Sequence, residues 1–128
     1  DNSEFETQRD SYAKEAREKW GNTAAYNEYS AKTYSAEKQS ELNDGMNALI
    51  AEFAGCIADG NTPESKEAQA LVKKWQTYIT ENYYTCTKEI LAGLGTMYTA
   101  DERFKANIDR YGKGTAEFMC AAIQEYCR

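Results

Sequence analysis

The chain has 128 residues, 41% hydrophobic and 28% charged, with 15 Lys plus Arg against 21 Asp plus Glu, a formal charge of −6 and no histidine. That length suits one domain, able to bury about two thirds of its unfolded surface without metal or disulfide staples. The missing imidazole excludes Ser-His and Cys-His nucleophile pairs, a proximal haem ligand and mixed Cys/His zinc sites, the acidic balance disfavours phosphate-backbone contacts, and no apolar run nears the ~20 residues of a membrane span.

The stretch before Met46 stands apart. It contains no Ile, Val or Met, its one leucine is Leu42, and its remaining apolar content is alanine with Phe5, Tyr12, Trp20, Tyr26, Tyr29 and Tyr34. Such a segment can form amphipathic helices, but it has little aliphatic area to offset ordering entropy. Trp20-Gly21-Asn22-Thr23 predicts one helix ending at Gly21 and another capped by Asn22 or Thr23, and Ser35-Ala36-Glu37-Lys38 starts the next. We therefore expect a single domain over 1–128, in which 1–45 is a conditionally ordered lid on a helical core at 46–128.

From Met46 onward aliphatics appear at helical spacing. Met46, Leu49, Ile50, Phe53, Cys56 and Ile57 share a face, and Asp59-Gly60 supplies a left-handed stop. Thr62 as N-cap and Pro63 at the first helical position predict a new helix there, carrying Ala68, Leu71, Val72, Trp75, Tyr78, Ile79 and Tyr83. Next, Cys86, Ile90, Gly93 and Met97 form one stripe and Thr87, Leu91, Leu94 and Tyr98 an adjacent one. A helix apolar on two neighbouring faces packs against more than one partner. Asp101-Glu102 opens a helix with Phe104, Ile108 and Tyr111, Gly112 and Gly114 punctuate, and a last helix carries Phe118, Met119, Ala122, Ile123 and Tyr126. No stretch sustains period-two alternation, so the fold class is all-α.

The four cysteines, Cys56, Cys86, Cys120 and Cys127, include no C-x-x-C pair. Two turns of one helix separate Cys120 from Cys127, about 10 Å, which is too far for a bond within that helix. They read as reduced thiols used as small apolar residues, in a cytoplasmic chain with no signal-peptide start, no metal and no cofactor. Ten tyrosines and two tryptophans suit flat, multi-ring ligands. Trp75, Tyr78 and Ile79 also fit a core, whereas Trp20 and Tyr26, in the aliphatic-poor segment, read as ligand-facing. Among the carboxylates, Asp101-Glu102 and Glu89 are the strongest acid–base candidates. Helix capping accounts for the first pair, so no catalytic residue is assigned and the chain does not read as an enzyme.

Trp20-Gly21-Asn22-Thr23-Ala24-Ala25-Tyr26, Tyr84-Thr85-Cys86, the run from Leu94 to Phe104 (Leu-Gly-Thr-Met-Tyr-Thr-Ala-Asp-Glu-Arg-Phe) and Asn107-Ile108-Asp109 together resemble the TipAS family, from about Tyr12 to Tyr126. TipAS domains are the C-terminal antibiotic-recognition domains of MerR-type transcriptional activators. The resemblance implies a globin-like helical fold without haem, binding of thiopeptide-like macrocycles or other polycyclic antibiotics, and activation of resistance or efflux genes. It implies an N-terminal segment that is mobile when free and folds over bound drug. DNA contact would come only through an N-terminal domain absent from this chain; the isolated domain would be monomeric, the full-length protein a dimer, with no membrane partner. The family's Tyr-x-Cys motif stands at Tyr84 and Cys86, while the second cysteine that traps dehydroalanine in thiopeptide-binding members is replaced here by Gly93, which implies reversible binding. Helical spacing places Cys86, Glu89, Ile90 and Met97 on the face of Gly93, with Trp75 and Ile79 approaching from the preceding helix and Trp20 and Tyr26 closing over the ligand. Two other readings compete: a stand-alone drug-sequestering resistance protein and a purely structural helical interaction domain.

Overall fold

A computed structural model of the chain describes residues 34–128. Five helices follow one another: α1 (Ala36–Ala58), α2 (Lys66–Asn82), α3 (Lys88–Ala100), α4 (Glu102–Asp109) and α5 (Thr115–Tyr126). No strand occurs among the described residues, and the arrangement is an all-α, globin-like one.

Short polar residues set most of the helix starts. The side chains of Ser35, Ser65, Thr87 and Asp101 accept from the backbone N–H of Lys38, Ala68, Ile90 and Arg103, each satisfying a donor that the first helical turn leaves orphaned. Helix α5 differs, because its N-cap is Gly114, at φ 86°, where no side chain is available. Asp109, at the end of α4, supplies the cap instead: its Oδ1 accepts from Ala116 N–H at 2.9 Å. Gly60 turns left-handed (φ 85°) after α1, where Asp59-Gly60 predicts the stop.

Three local expectations are revised. The N-terminal boundary at 45/46 falls inside α1, which runs unbroken through Gly45. Leu42 is buried, and Tyr78 Oη donates to its carbonyl at 2.8 Å, so an aromatic on α2 supplies the packing that aliphatics on this half of α1 do not. A Cβ on Gly45 would collide with the Tyr78 hydroxyl, which makes glycine the residue that lets the ring lie there. Helix α2 begins at Lys66, later than Thr62-Pro63 predicts. Thr62 to Ser65 instead form a turn closed by Ser65 N–H to Thr62 O (3.1 Å), with Gln69 Nε2 donating to Pro63 O (2.9 Å). Ser65 outcompetes Thr62 as cap because its hydroxyl reaches the Ala68 N–H. Finally, Cys86 lies in the α2–α3 connector, ahead of the cap Thr87, not on α3.

Helix α5 is the hub, packing on α1, α2, α3 and α4. Ala116, Met119, Ala122 and Ile123 are all fully buried on it. Gly95 permits close approach of α3: a Cβ there would lie 3.0 Å from Ile123 Cγ2. An aromatic line then joins the helices. Phe53 and Tyr98 meet Trp75 edge-on, with centroids 6.3 and 6.0 Å away, and Phe104 packs on Tyr98 at 6.1 Å. Trp75 Nε1 donates to Tyr98 Oη at 3.2 Å, so the buried indole N–H is partnered.

Candidate functional site

Helix α3 divides cleanly by face. Leu91, Leu94, Gly95 and Tyr98 point into the core, while Glu89, Gly93, Thr96 and Ala100 form the exposed strip expected at i, i+4, i+7 and i+11. Ile90, half-buried, lies along one flank of this strip, and Met97 on the same flank is buried in the core. At its centre Gly93 is exposed, and a Cβ built there meets no described atom within 4 Å. The surface at this point is helix backbone between Glu89 and Thr96 with Ile90 on its apolar flank, which a flat ring can approach more closely than any side-chain-bearing residue would allow.

Polar groups on the opposite edge are already engaged. Thr96 Oγ1 donates to Ala92 O (3.2 Å) and Thr99 Oγ1 to Thr96 O (3.1 Å). Gln124, from α5, reaches both Ala92 O (3.0 Å) and Thr96 Oγ1 (3.3 Å). These bonds stiffen the helix beneath the strip and leave the Ile90–Met97 side as its apolar border.

The remaining candidate residues lie apart from this strip. Trp75 is 2% exposed, enclosed by Phe53 and Tyr98, and Ile79 is likewise buried. Both occupy the core, behind α3. Cys86 is 3% exposed, with its N–H donating to Thr80 Oγ1 (3.1 Å) and its carbonyl accepting from Gln76 Nε2 (2.8 Å). Burial, reinforced by the neighbouring Cys127, pushes its thiol up to about 12, so it is protonated at neutral pH and packs as a small apolar group. Glu89, Ile90, Gly93 and Met97 are thus brought together on one helix, Cys86 sits under its start, and Trp20 and Tyr26 lie outside the described residues. Sequence reasoning missed Gln76. Its Nε2 holds the Cys86 carbonyl, while its Oε1 accepts from Tyr126 Oη at 2.9 Å, fastening the connector to α5. No pattern in the chain marks a lone half-buried glutamine for that task.

Among the described residues no group of three or more His, Cys, Asp or Glu is placed to hold a metal, and no helix is long and apolar enough to cross a membrane.

Comparison with known proteins identifies the family. Residues 12–126 match the model of the TipAS antibiotic-recognition domain. The chain is 36% identical over 116 residues to the HTH-type transcriptional activator TipA of Streptomyces coelicolor, covering 89% of this chain and 46% of that one. It is 33% identical over 125 residues to the HTH-type transcriptional activator mta of Bacillus subtilis, covering 97% and 48% respectively. The chain therefore spans about half the length of the curated relatives it matches. Among solved structures, TipAS of Streptomyces lividans in complex with nosiheptide superposes with a TM-score of 0.79 at 35% identity, covering 92% of this chain and 84% of that one. On these grounds the chain belongs to the TipAS antibiotic-recognition domain family.

Proposed function

We propose that this chain is the ligand-sensing part of a MerR-type transcriptional activator, binding thiopeptide-like or other polycyclic antibiotics reversibly. The observation that carries this is the fold and sequence likeness to TipAS with nosiheptide. In this reading the drug lies on the outer face of α3. Gly93 admits a flat ring to the backbone, Ile90 and Met97 give apolar contact, and Glu89 offers an acceptor at the rim. Trp75 and Ile79 support that helix from behind, and Cys86 underpins its start. Trp20 and Tyr26 close over the bound ligand. The closing segment is the chain ahead of Tyr34, since Tyr34 Oη donates to Asn82 O at 2.6 Å and α1 has buried residues from Leu42 onward.

Capture is reversible because position 93 carries no thiol and Cys86 is buried and protonated. Ordering the closing segment is offset by aromatic area buried against the drug, at roughly 25 cal/mol per Å². DNA binding and dimerisation belong to a separate domain of a longer cytoplasmic protein, which switches on resistance or efflux genes. Drug shifts that protein only to the extent that it prefers the closed state. Calorimetric titration with nosiheptide, followed by intact mass measurement in denaturant, tests the reading: saturable binding with no retained adduct supports it. Absence of binding at micromolar drug overturns it. Amide exchange tests the closure separately, because equal protection of residues 1–33 with and without drug removes the lid.

A further inference from the structure

We propose that Cys86 and Cys127 form a redox-active pair that a hydroperoxide joins as a disulfide, tying the end of α5 to the α2–α3 connector. This goes beyond the ligand-binding reading and does not depend on what the α3 face binds. The two thiols come from elements far apart in sequence and converge on the first carbonyls of α3. Cys127 Sγ lies 3.3 Å from Lys88 O, and Cys86 Sγ lies 3.9 Å from Thr87 O. Consecutive carbonyl oxygens at a helix start are about 3.5 Å apart at helical rise and radius, so both sulfurs lie at the start of α3, no more than about 10 Å from each other. Gln76 holds both sides of the locality, through the Cys86 carbonyl and the Tyr126 hydroxyl.

Exposure sets the order of events. Cys86 is buried, whereas Cys127 is partly exposed at the C-cap of α5, beyond the last helical residue, where backbone adjustment disturbs little. Burial raises the Cys127 thiol, and the Lys88 ammonium, seated over the Tyr126 ring at 5.4 Å, partly offsets that rise. Cys127 is therefore oxidised first. Its thiolate takes the terminal oxygen of the hydroperoxide, giving a sulfenic acid and releasing the alcohol or, from hydrogen peroxide, water. The Cys86 sulfur then attacks the Cys127 sulfur, the S–S bond forms, and hydroxide leaves with the Cys86 proton as a second water. Two thiols lose two electrons in total and the peroxide gains them. Burial of both sulfurs slows the reaction near neutrality and makes it faster as pH rises. The other two cysteines are placed differently: Cys56 is buried on α1, and Cys120 is two turns from Cys127 on the same helix.

The test uses the reduced full chain, treated with hydrogen peroxide, alkylated, and mapped by non-reducing peptide mass spectrometry. The expected result is an intramolecular 86–127 cross-link with Cys56 and Cys120 alkylated, complete loss of the cross-link in Cys127→Ser, and its retention in Cys120→Ser. Cys127→Ser alters a partly exposed position, and far-UV circular dichroism establishes that the variant is folded. The same treatment in concentrated urea is expected to scatter the pairing among all four cysteines. A folded protein yielding only intermolecular dimers, a different pair, or sulfinic acid at Cys127 without a cross-link would overturn the proposal. So would equal yields of the 86–127 pair in urea and in buffer.

Discussion

Gly93 and Gly95 lie two residues apart on one helix and make opposite predictions for the same substitution. Gly93 is exposed and a Cβ there meets no described atom within 4 Å. Alanine in an exposed helix interior is favoured over glycine by about 1 kcal/mol, so Gly93→Ala should stabilise the domain by about 0.5–1 kcal/mol. For a domain of this size that raises Tm by about 2–6 °C. At Gly95 the added carbon would lie 3.0 Å from Ile123 Cγ2 and 3.2 Å from Ile123 Cβ, and both atoms belong to a fully buried side chain on the hub helix. Overpacking of that kind costs about 1–3 kcal/mol, which outweighs the propensity gain, so Gly95→Ala should lower Tm. Thermal and urea unfolding followed by circular dichroism at 222 nm (a helix signal) measure both. Affinity should follow a different pattern. Gly93→Leu lifts a flat ligand off the α3 backbone without touching the core, so nosiheptide binding should weaken while stability is kept. Destabilisation by Gly93→Ala would refute the open-face geometry. Unchanged nosiheptide affinity in a folded Gly93→Leu variant would refute the placement of the ligand on α3.

Tyr98→Phe removes the acceptor of the Trp75 indole N–H and leaves that donor buried, a loss of about 1–3 kcal/mol; in a Trp75→Phe background most of that loss should vanish, and a double-mutant cycle in urea reads the coupling. The Asp101 carboxyl is held below the usual carboxylate range, first by the Arg103 guanidinium bonded to it and further by the backbone N–H groups it caps. A lowered folded-state pKa contributes stability above the ordinary carboxylate pKa and loses it as pH falls through the folded value, so the domain should weaken below about pH 4 and Asp101→Asn should flatten that part of the stability profile. Gly93→Cys places a thiol on the exposed strip, where the TipAS resemblance puts the trapping cysteine. With nosiheptide it should give a mass adduct that survives denaturation, formed by sulfur adding to the β-carbon of a dehydroalanine while the α-carbon takes the proton; absence of adduct, with binding intact, refutes the assigned register of α3.

Much of the fold was legible because helix caps and apolar periodicity act over four residues. Ser35 and Asp101 cap the helices they open, Asp59-Gly60 ends α1, and the Leu91–Leu94–Tyr98 stripe faces the core, while Thr87, read as part of that stripe, proves to be the cap of α3. One start was misplaced: Thr62-Pro63 predicts the opening of α2, and the hydrogen bonds of Ser65 and Gln69 set it three residues later. Long-range partners were invisible for a related reason. Nothing near Gly114 announces that Asp109 caps α5, nothing near Gly45 announces the Tyr78 ring, and Gln76 shows its role only beside Cys86 and Tyr126.

Through the family strings the sequence named the right family, and for the site it offered the stripe Cys86–Ile90–Gly93–Met97. Periodicity alone ranks those positions as equivalent, since it registers only that they recur along one helical direction. Their separation into a bare backbone at Gly93, an apolar flank at Ile90 and Met97, and a sealed thiol at Cys86 depends on which neighbours α3 meets. By itself the sequence determined an all-helical domain with local stops and starts, because those rest on short-range hydrogen bonding and on the burial of one helical face. Only the tertiary structure decided which face of α3 remains open and that Trp75 belongs to the core, because burial is a property of every helix packed around a residue and not of the residue's own turn.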